Sequence, residues 1–280
     1  MTLREWTAKI TPPDAAAMEE ARRRQAQLAK PPGSLGRLED LSVQLAGITG
    51  RVHNKIEKKH LLVFAADNGV VDEGVSSAPR SVTLSQTINL TRGKTGAATL
   101  CKHFGCAITV CDVGVAANIR EKAVLCRKIA FGTKNIARGS AMTREECERA
   151  VLTGIELAAE TDADVLGVGE MGIGNTTTSS AVLCALTGAA VADVTGRGAG
   201  CDGWRMFPAA AAAISLRNCL SVKSFAKGIP CTLSSCDHAE AASCFKYAAS
   251  PCGSSSSMSV PIIDKMRRRI SSCAVTALHS

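Results

Sequence analysis

Gly167-Val168-Gly169-Glu170-Met171-Gly172-Ile173-Gly174-Asn175-Thr176-Thr177-Thr178 starts at the end of a short apolar run, Asp164–Gly167, and leads into a helical pattern over 176–188. Two other runs end in the same style. His60–Ala66 (HLLVFAA) passes into Asp67-Asn68-Gly69, and Ala107–Cys111 (AITVC) passes into Asp112-Val113-Gly114. Runs so short and rich in branched side chains suit strands buried on both faces. Helical patterns at 81–104 and 143–160 separate them. Strand–helix alternation predicts an α/β fold with a doubly wound, mostly parallel, Rossmann-like sheet.

Ligands of such sheets collect beyond the carboxyl ends of the strands. Those ends carry Asp67, Asp112 and Glu170, each within two residues of a glycine. One carboxylate there could merely cap a helix; three at equivalent places point to a site. Glycines in the third loop allow a close backbone approach to a ligand. Asn175 or Thr176 can cap the following helix, whose free N–H groups and dipole favour an anion such as phosphate. An ordinary capped helix after a glycine turn explains the same residues. Gly167–Gly172 also satisfies G-x-G-x-x-G, with Asp193 downstream, which would suggest an NAD(P)-binding oxidoreductase. Against that, Glu170 would put negative charge inside the loop meant for a pyrophosphate.

Upstream, residues 14–29 form a helical pattern opened by Asp14 after Pro12-Pro13, and 37–48 form a second. Pro31-Pro32-Gly33 separates them, because prolines and glycine do not continue a helix. The 280-residue chain is 46% apolar, enough for a full core, and only 3% aromatic. No apolar stretch approaches the roughly 20 residues that span a bilayer, and no secretory signal opens the chain, so a cytoplasmic location with no membrane partner is expected. Thirteen cysteines, an odd number, fit free thiols. The net charge of +8 includes +5 from residues 201–280, but the Arg267–Arg269 run is short and lacks a stacking series, which argues against nucleic acid.

Several segments together resemble the nicotinate-nucleotide–dimethylbenzimidazole phosphoribosyltransferase family. They are Lys30–Glu39 (KPPGSLGRLE), Ala65–Val70 (AADNGV), Asp72–Val75 (DEGV), Val82-Thr83 with Gln86, Asn89 and Thr91–Gly93, Asp112–Gly114, Gly139–Met142 (GSAM) and Gly167–Thr177. Their order and spacing are similar to the family's from near residue 12 to about 200. The resemblance implies residues 1–50 as the helical segment of a small subdomain and 51–200 as the α/β transferase core.

It also implies a reaction. A ring nitrogen of 5,6-dimethylbenzimidazole attacks the anomeric carbon of nicotinate mononucleotide, nicotinate leaves, and α-ribazole 5′-phosphate forms for cobalamin assembly. No metal or other cofactor is implied, and the chain is expected to form a homodimer. By position, Glu170 matches the carboxylate that supports charge at the ribosyl carbon. Asp67 ends the first strand of the site. Gln86 matches a residue lining the benzimidazole pocket, and Ala78 falls where some relatives place serine. Gly172, Asn175, Thr176 and Thr177 match the phosphate-side loop, with Gly196 and Gly198 in a second glycine turn. Asn68 stands where many members have histidine.

After Gly196–Gly200 the motifs stop. The family's late Glu-Gly-Ser/Thr-Gly-Ala segment, which carries its general base, does not occur in 201–280. That stretch holds seven cysteines, a polyalanine run and a polyserine run. It is expected to be a divergent tail, incomplete, disordered or frame-shifted near codon 200. Cys231, Cys236, His238 and Cys244 are a zinc alternative without C-x₂-C spacing. A catalytically inactive, mononucleotide-binding remnant is the alternative to an active enzyme.

Overall fold

The computed structural model describes residues 1–196. Gly198, the 201–280 tail and its cysteine–histidine group lie outside the described residues.

The apolar runs form a four-stranded, wholly parallel sheet. β1 is Lys59–Ala66, β2 Cys106–Gly114, β3 Val124–Cys126 and β4 Val165–Met171, in the order β3-β2-β1-β4. Burial of β1 on both faces gives each side its own core. Leu62, Phe64 and Ala66 face Leu157 and Ala158 of helix α6, Arg144–Glu160. Leu61 and Val63 face Leu90 of α4, Ser81–Thr91, and Cys101 of α5, Gly96–His103. Helices on both faces make the sheet doubly wound. The chain runs outward from β1 to β2 and β3, then returns through α6 to lay β4 on the other side of β1. The strand order therefore reverses between β1 and β4, the kind of switch point at which ligands of such sheets bind.

Two elements differ from the expected ones. A single helix over 81–104 is broken at Arg92–Thr95: Gly93 takes φ +71°, and the Thr95 hydroxyl accepts from Ala98 N at 3.2 Å to start a new helix. β4 runs on through Gly169, Glu170 and Met171, expected as loop, because these residues pair with Val63, Phe64 and Ala65 of β1. Gly96 opens α5 with free space where a Cβ would sit. Gly96→Ala should therefore raise stability by up to about 1 kcal/mol, read as a higher midpoint in urea, since helical glycine loses more chain entropy than alanine.

The N-terminal region is helical: α1 is Leu3–Thr7, α2 Ala15–Gln27 and α3 Arg37–Thr49. Asp14 caps α2 by accepting from Ala17 N at 3.0 Å. α2 and α3 join through Ala17, Ala21, Val43 and Ala46. The proline–glycine turn between them is closed by a Lys30–Glu39 ion pair at 2.6 Å, and Glu39 also accepts from Leu35 N. The KPPGSLGRLE stretch thus has a structural reason for both of its ends. The six cysteines among the described residues form no disulfide, and no helix among those residues is long and apolar enough to cross a membrane.

Candidate active site

Glu170 is the penultimate residue of β4, opposite Phe64 of β1. Strand alternation turns its side chain to the face on which Leu166 and Val168 meet the α6 side of the core. Its carboxyl group accepts a hydrogen bond from Asn175 Nδ2 at 2.5 Å. Burial pushes its pKa up to about 7, against a smaller lowering by that bond. A carboxyl poised near neutrality at the tip of a parallel strand is the most perturbed acid of the site.

The turn after Glu170 is packed tightly. A Cβ on Gly172 would collide with the Ala66 carbonyl oxygen and come within 2.8 Å of Asn68 Nδ2. Gly174 takes φ +85° beside Val71 and is the N-cap of α7, Asn175–Thr187. Here the expectation of Asn175 or Thr176 as cap is corrected: both lie inside the helix, and Gly174 caps without a side chain. The first amides are also occupied. Asn175 N donates to the Gly172 carbonyl, Thr177 N to the Gly174 carbonyl (3.1 Å each), and Thr176 N to Asn175 Oδ1 at 2.7 Å. What α7 offers an anion is therefore mainly its dipole. Thr177 is 1% exposed, and its hydroxyl has no partner among the described residues.

The three strand-end carboxylates are not equivalent. Asp112 is consumed by structure: Lys128 Nζ lies 2.7 Å from it, and it accepts from Gly114 N and Val115 N. Asp67 is 4% exposed; Oδ2 accepts from Ala116 N at 2.7 Å, and Oδ1 has no partner among the described residues. A buried carboxylate oxygen left unpaired calls for a donor from water or a ligand. Gln86 is half-buried on α4, which packs against all four strands. α4 lies on the face opposite Glu170, and the two faces meet at the tip of β4, where Ile173 N donates to the Thr83 hydroxyl of α4 at 3.1 Å. Ala78 is half-buried, and its N–H donates to Ser76 Oγ at 3.2 Å. Gly196 is exposed at the end of the described residues, beyond the short helix α8, Val191–Val194.

A family model described as phosphoribosyltransferase matches residues 10–215. The chain belongs to that family.

Phosphoribosyltransferase kinship reaches past Gly200, where the quoted motifs stop. Among relatives named nicotinate-nucleotide–dimethylbenzimidazole phosphoribosyltransferase, one from Clostridium perfringens is 50% identical over 184 residues, which is 65% of this chain and 51% of the relative. Another, from Alkaliphilus metalliredigens, is 48% identical over 202 residues, 71% of this chain and 58% of the relative. A crystal structure of the enzyme so named from Thermus thermophilus superimposes with a TM-score of 0.68 at 40% identity, covering 72% of this chain and 62% of that one. The chain thus spans little more than half the length of these curated relatives.

The oxidoreductase alternative falls here on geometry as well as kinship. Gly167 and Gly169 lie inside β4, paired with Leu61 and Val63, so they form no pyrophosphate turn. Asp193 is an exposed residue of α8 and does not end a neighbouring strand. Sequence reasoning missed what holds the phosphoribosyltransferase turn in place. Asn68 Nδ2 donates to the Ile173 carbonyl at 3.3 Å, and the Thr83 hydroxyl holds the same residue's N–H. Thr83 stood inside a matching segment, which was the available signal. A cavity of about 160 Å³ at the end of β2, bordered by Gly114, Thr133, Lys134, Met142 and Glu146, was likewise not foreseen.

Proposed function

We propose that this chain binds nicotinate mononucleotide at the carboxyl ends of β1 and β4 and transfers its phosphoribosyl group to 5,6-dimethylbenzimidazole. A benzimidazole nitrogen bonds to the anomeric carbon as the bond from that carbon to nicotinate breaks. The bonding pair leaves with the nicotinate nitrogen, and the benzimidazole N–H proton goes to a base. The observation that carries the proposal is Glu170: a half-buried carboxyl at the tip of β4, its pKa raised by desolvation, held by Asn175 beside the turn that matches the family. In its ionised form it offsets the positive charge that develops at the ribosyl carbon.

Asp67, with a buried oxygen that has no partner among the described residues, serves as a second acceptor for the ribose. Gln86 and Ala78 are assigned to the benzimidazole side. Gly172, Asn175, Thr176 and Thr177, with Gly196 and Gly198, are assigned to the phosphate side. Residues 51–200 are proposed as the transferase core, 1–50 as its helical subdomain, the cytoplasm as the location and a homodimer as the assembly.

A second reading, mononucleotide binding without turnover, is favoured by the composition of residues 201–280, where the family's motifs stop. The family's general-base segment does not appear in 201–280. Lack of a positioned base lowers the rate by about 10²–10⁴-fold. Incubating the full chain with both substrates and detecting α-ribazole 5′-phosphate tests the enzyme. Slow formation is expected, rising with pH as free benzimidazole loses its proton more readily. Mononucleotide binding by calorimetry with no product at high protein concentration leaves the binding reading; absence of both sinks the two together.

A further inference from the structure

The peptide of Ile173 is gripped from both sides by buried side chains that no substrate assignment includes. Its N–H donates to Thr83 Oγ1 at 3.1 Å, and its carbonyl accepts from Asn68 Nδ2 at 3.3 Å. Thr83 is fully buried and Asn68 is 2% exposed. They come from separate elements: Thr83 from α4, and Asn68 from the segment just beyond β1. Asn68 Oδ1 also faces the Thr178 hydroxyl of α7 at 3.4 Å, a hydroxyl shared with the Asn175 carbonyl at 2.9 Å. Gly172 and Gly174 flank the gripped residue and pack against Asn68 itself, with would-be Cβ positions 2.8 Å from its Nδ2 and 3.6 Å from its Cβ. The turn is therefore fixed at its middle by two hydrogen bonds and at both ends by contact.

We propose that Asn68 and Thr83 are positioning residues: they clamp the Ile173 peptide so that α7 begins where Asn175 meets Glu170 and the mononucleotide is received. This rests on the proposed mononucleotide site. Asn175 lies two residues beyond Ile173, and its side chain spans back to Glu170 at 2.5 Å. A turn free to shift by an ångström would break that contact. Glycine alone cannot hold a turn, because the freedom that lets it enter also lets it leave. The two buried side chains remove that freedom, and each would leave an unpaired peptide group if replaced.

The test uses the full chain and three variants: Thr83→Val, which keeps the shape and removes the acceptor, Asn68→Asp, which sets an oxygen against the Ile173 carbonyl, and Thr83→Ser, which restores the oxygen. Two quantities are read well below the unfolding temperatures. One is hydrogen exchange in the peptide covering 171–178; the other is the dissociation constant for nicotinate mononucleotide by calorimetry, with 5,6-dimethylbenzimidazole as the control ligand. Thr83→Val and Asn68→Asp should speed exchange in that peptide and weaken mononucleotide binding about tenfold, with benzimidazole binding unchanged and Thr83→Ser close to wild type. A merely structural Thr83 would lower the unfolding temperature and leave the mononucleotide constant where it was, which overturns the proposal. So does unchanged exchange. Should Thr83→Val not fold, Thr83→Ala removes the same oxygen and is read in its place. Wild-type protein that binds no mononucleotide overturns the functional reading instead, and the exchange measurement still decides the clamp.

Discussion

At pH 8 the Glu170→Gln variant is expected to unfold several degrees above the wild-type chain, and the two melting curves should converge below about pH 4.5. Burial raises the Glu170 pKa to about 7, above the 4.5 of a free glutamate. The folded state therefore holds the proton more tightly than the unfolded state does. Stability from this group is fully present below pH 4.5 and is lost as pH rises through 7, because the folded chain must then carry a buried charge. The difference between the two pKa values corresponds to about 3 kcal/mol at most. Glutamine keeps an oxygen to accept from Asn175 and never ionises, so it avoids that loss. A variant no more stable than wild type at pH 8 would mean that Glu170 is solvated or paired with a cation in solution.

The same substitution has the opposite effect on the proposed reaction. A neutral amide cannot offset charge at the ribosyl carbon, and removing one such stabilising group typically lowers kcat by about 10²–10³-fold. Gain of stability with loss of turnover is the signature of a residue kept for function at the expense of the fold. Neither half alone distinguishes this from an ordinary buried acid; their combination does.

Glu170 could be singled out from the sequence because it is an acid set among glycines directly after a short apolar run. Its place on a strand could not. Gly-Val-Gly-Glu-Met has weak local strand preference, and only pairing with Val63, Phe64 and Ala65 of β1 makes it one. The sheet centres were readable for the converse reason: Leu61–Phe64 and Val110-Cys111 are apolar on both faces and need no partner to be recognised. The break near Gly93 was hidden because apolar periodicity continues on either side of it. Asn68 and Thr83 stand 105 and 90 residues from the peptide they hold, and no pattern along the chain links them to it. Asp112 looked like a third site acid until Lys128, brought next to β2 by the fold, was seen to neutralise it. Legibility thus followed distance along the chain: what neighbours decide was readable, and what the sheet brings together was not.

Gly172→Ala should cost about 3 kcal/mol, the upper end of what overpacking usually costs, whereas Gly139→Ala should stay within about 0.5 kcal/mol. The alanine methyl at 172 would strike the Ala66 carbonyl oxygen, which belongs to the central strand β1 and cannot swing aside as a side chain would. A Cβ at Gly139 would meet nothing within 4 Å among the described residues. Relief at 172 requires the turn to move off β1, which withdraws Ile173 from Asn68 and Thr83 and carries Asn175 away from Glu170. Loss of stability and loss of mononucleotide affinity should therefore appear together in Gly172→Ala, measured by urea unfolding and calorimetry. An alanine tolerated at 172 with full affinity would show that the turn sits away from β1 in solution, and both the clamp and the placement of Glu170 beside it would have to be given up.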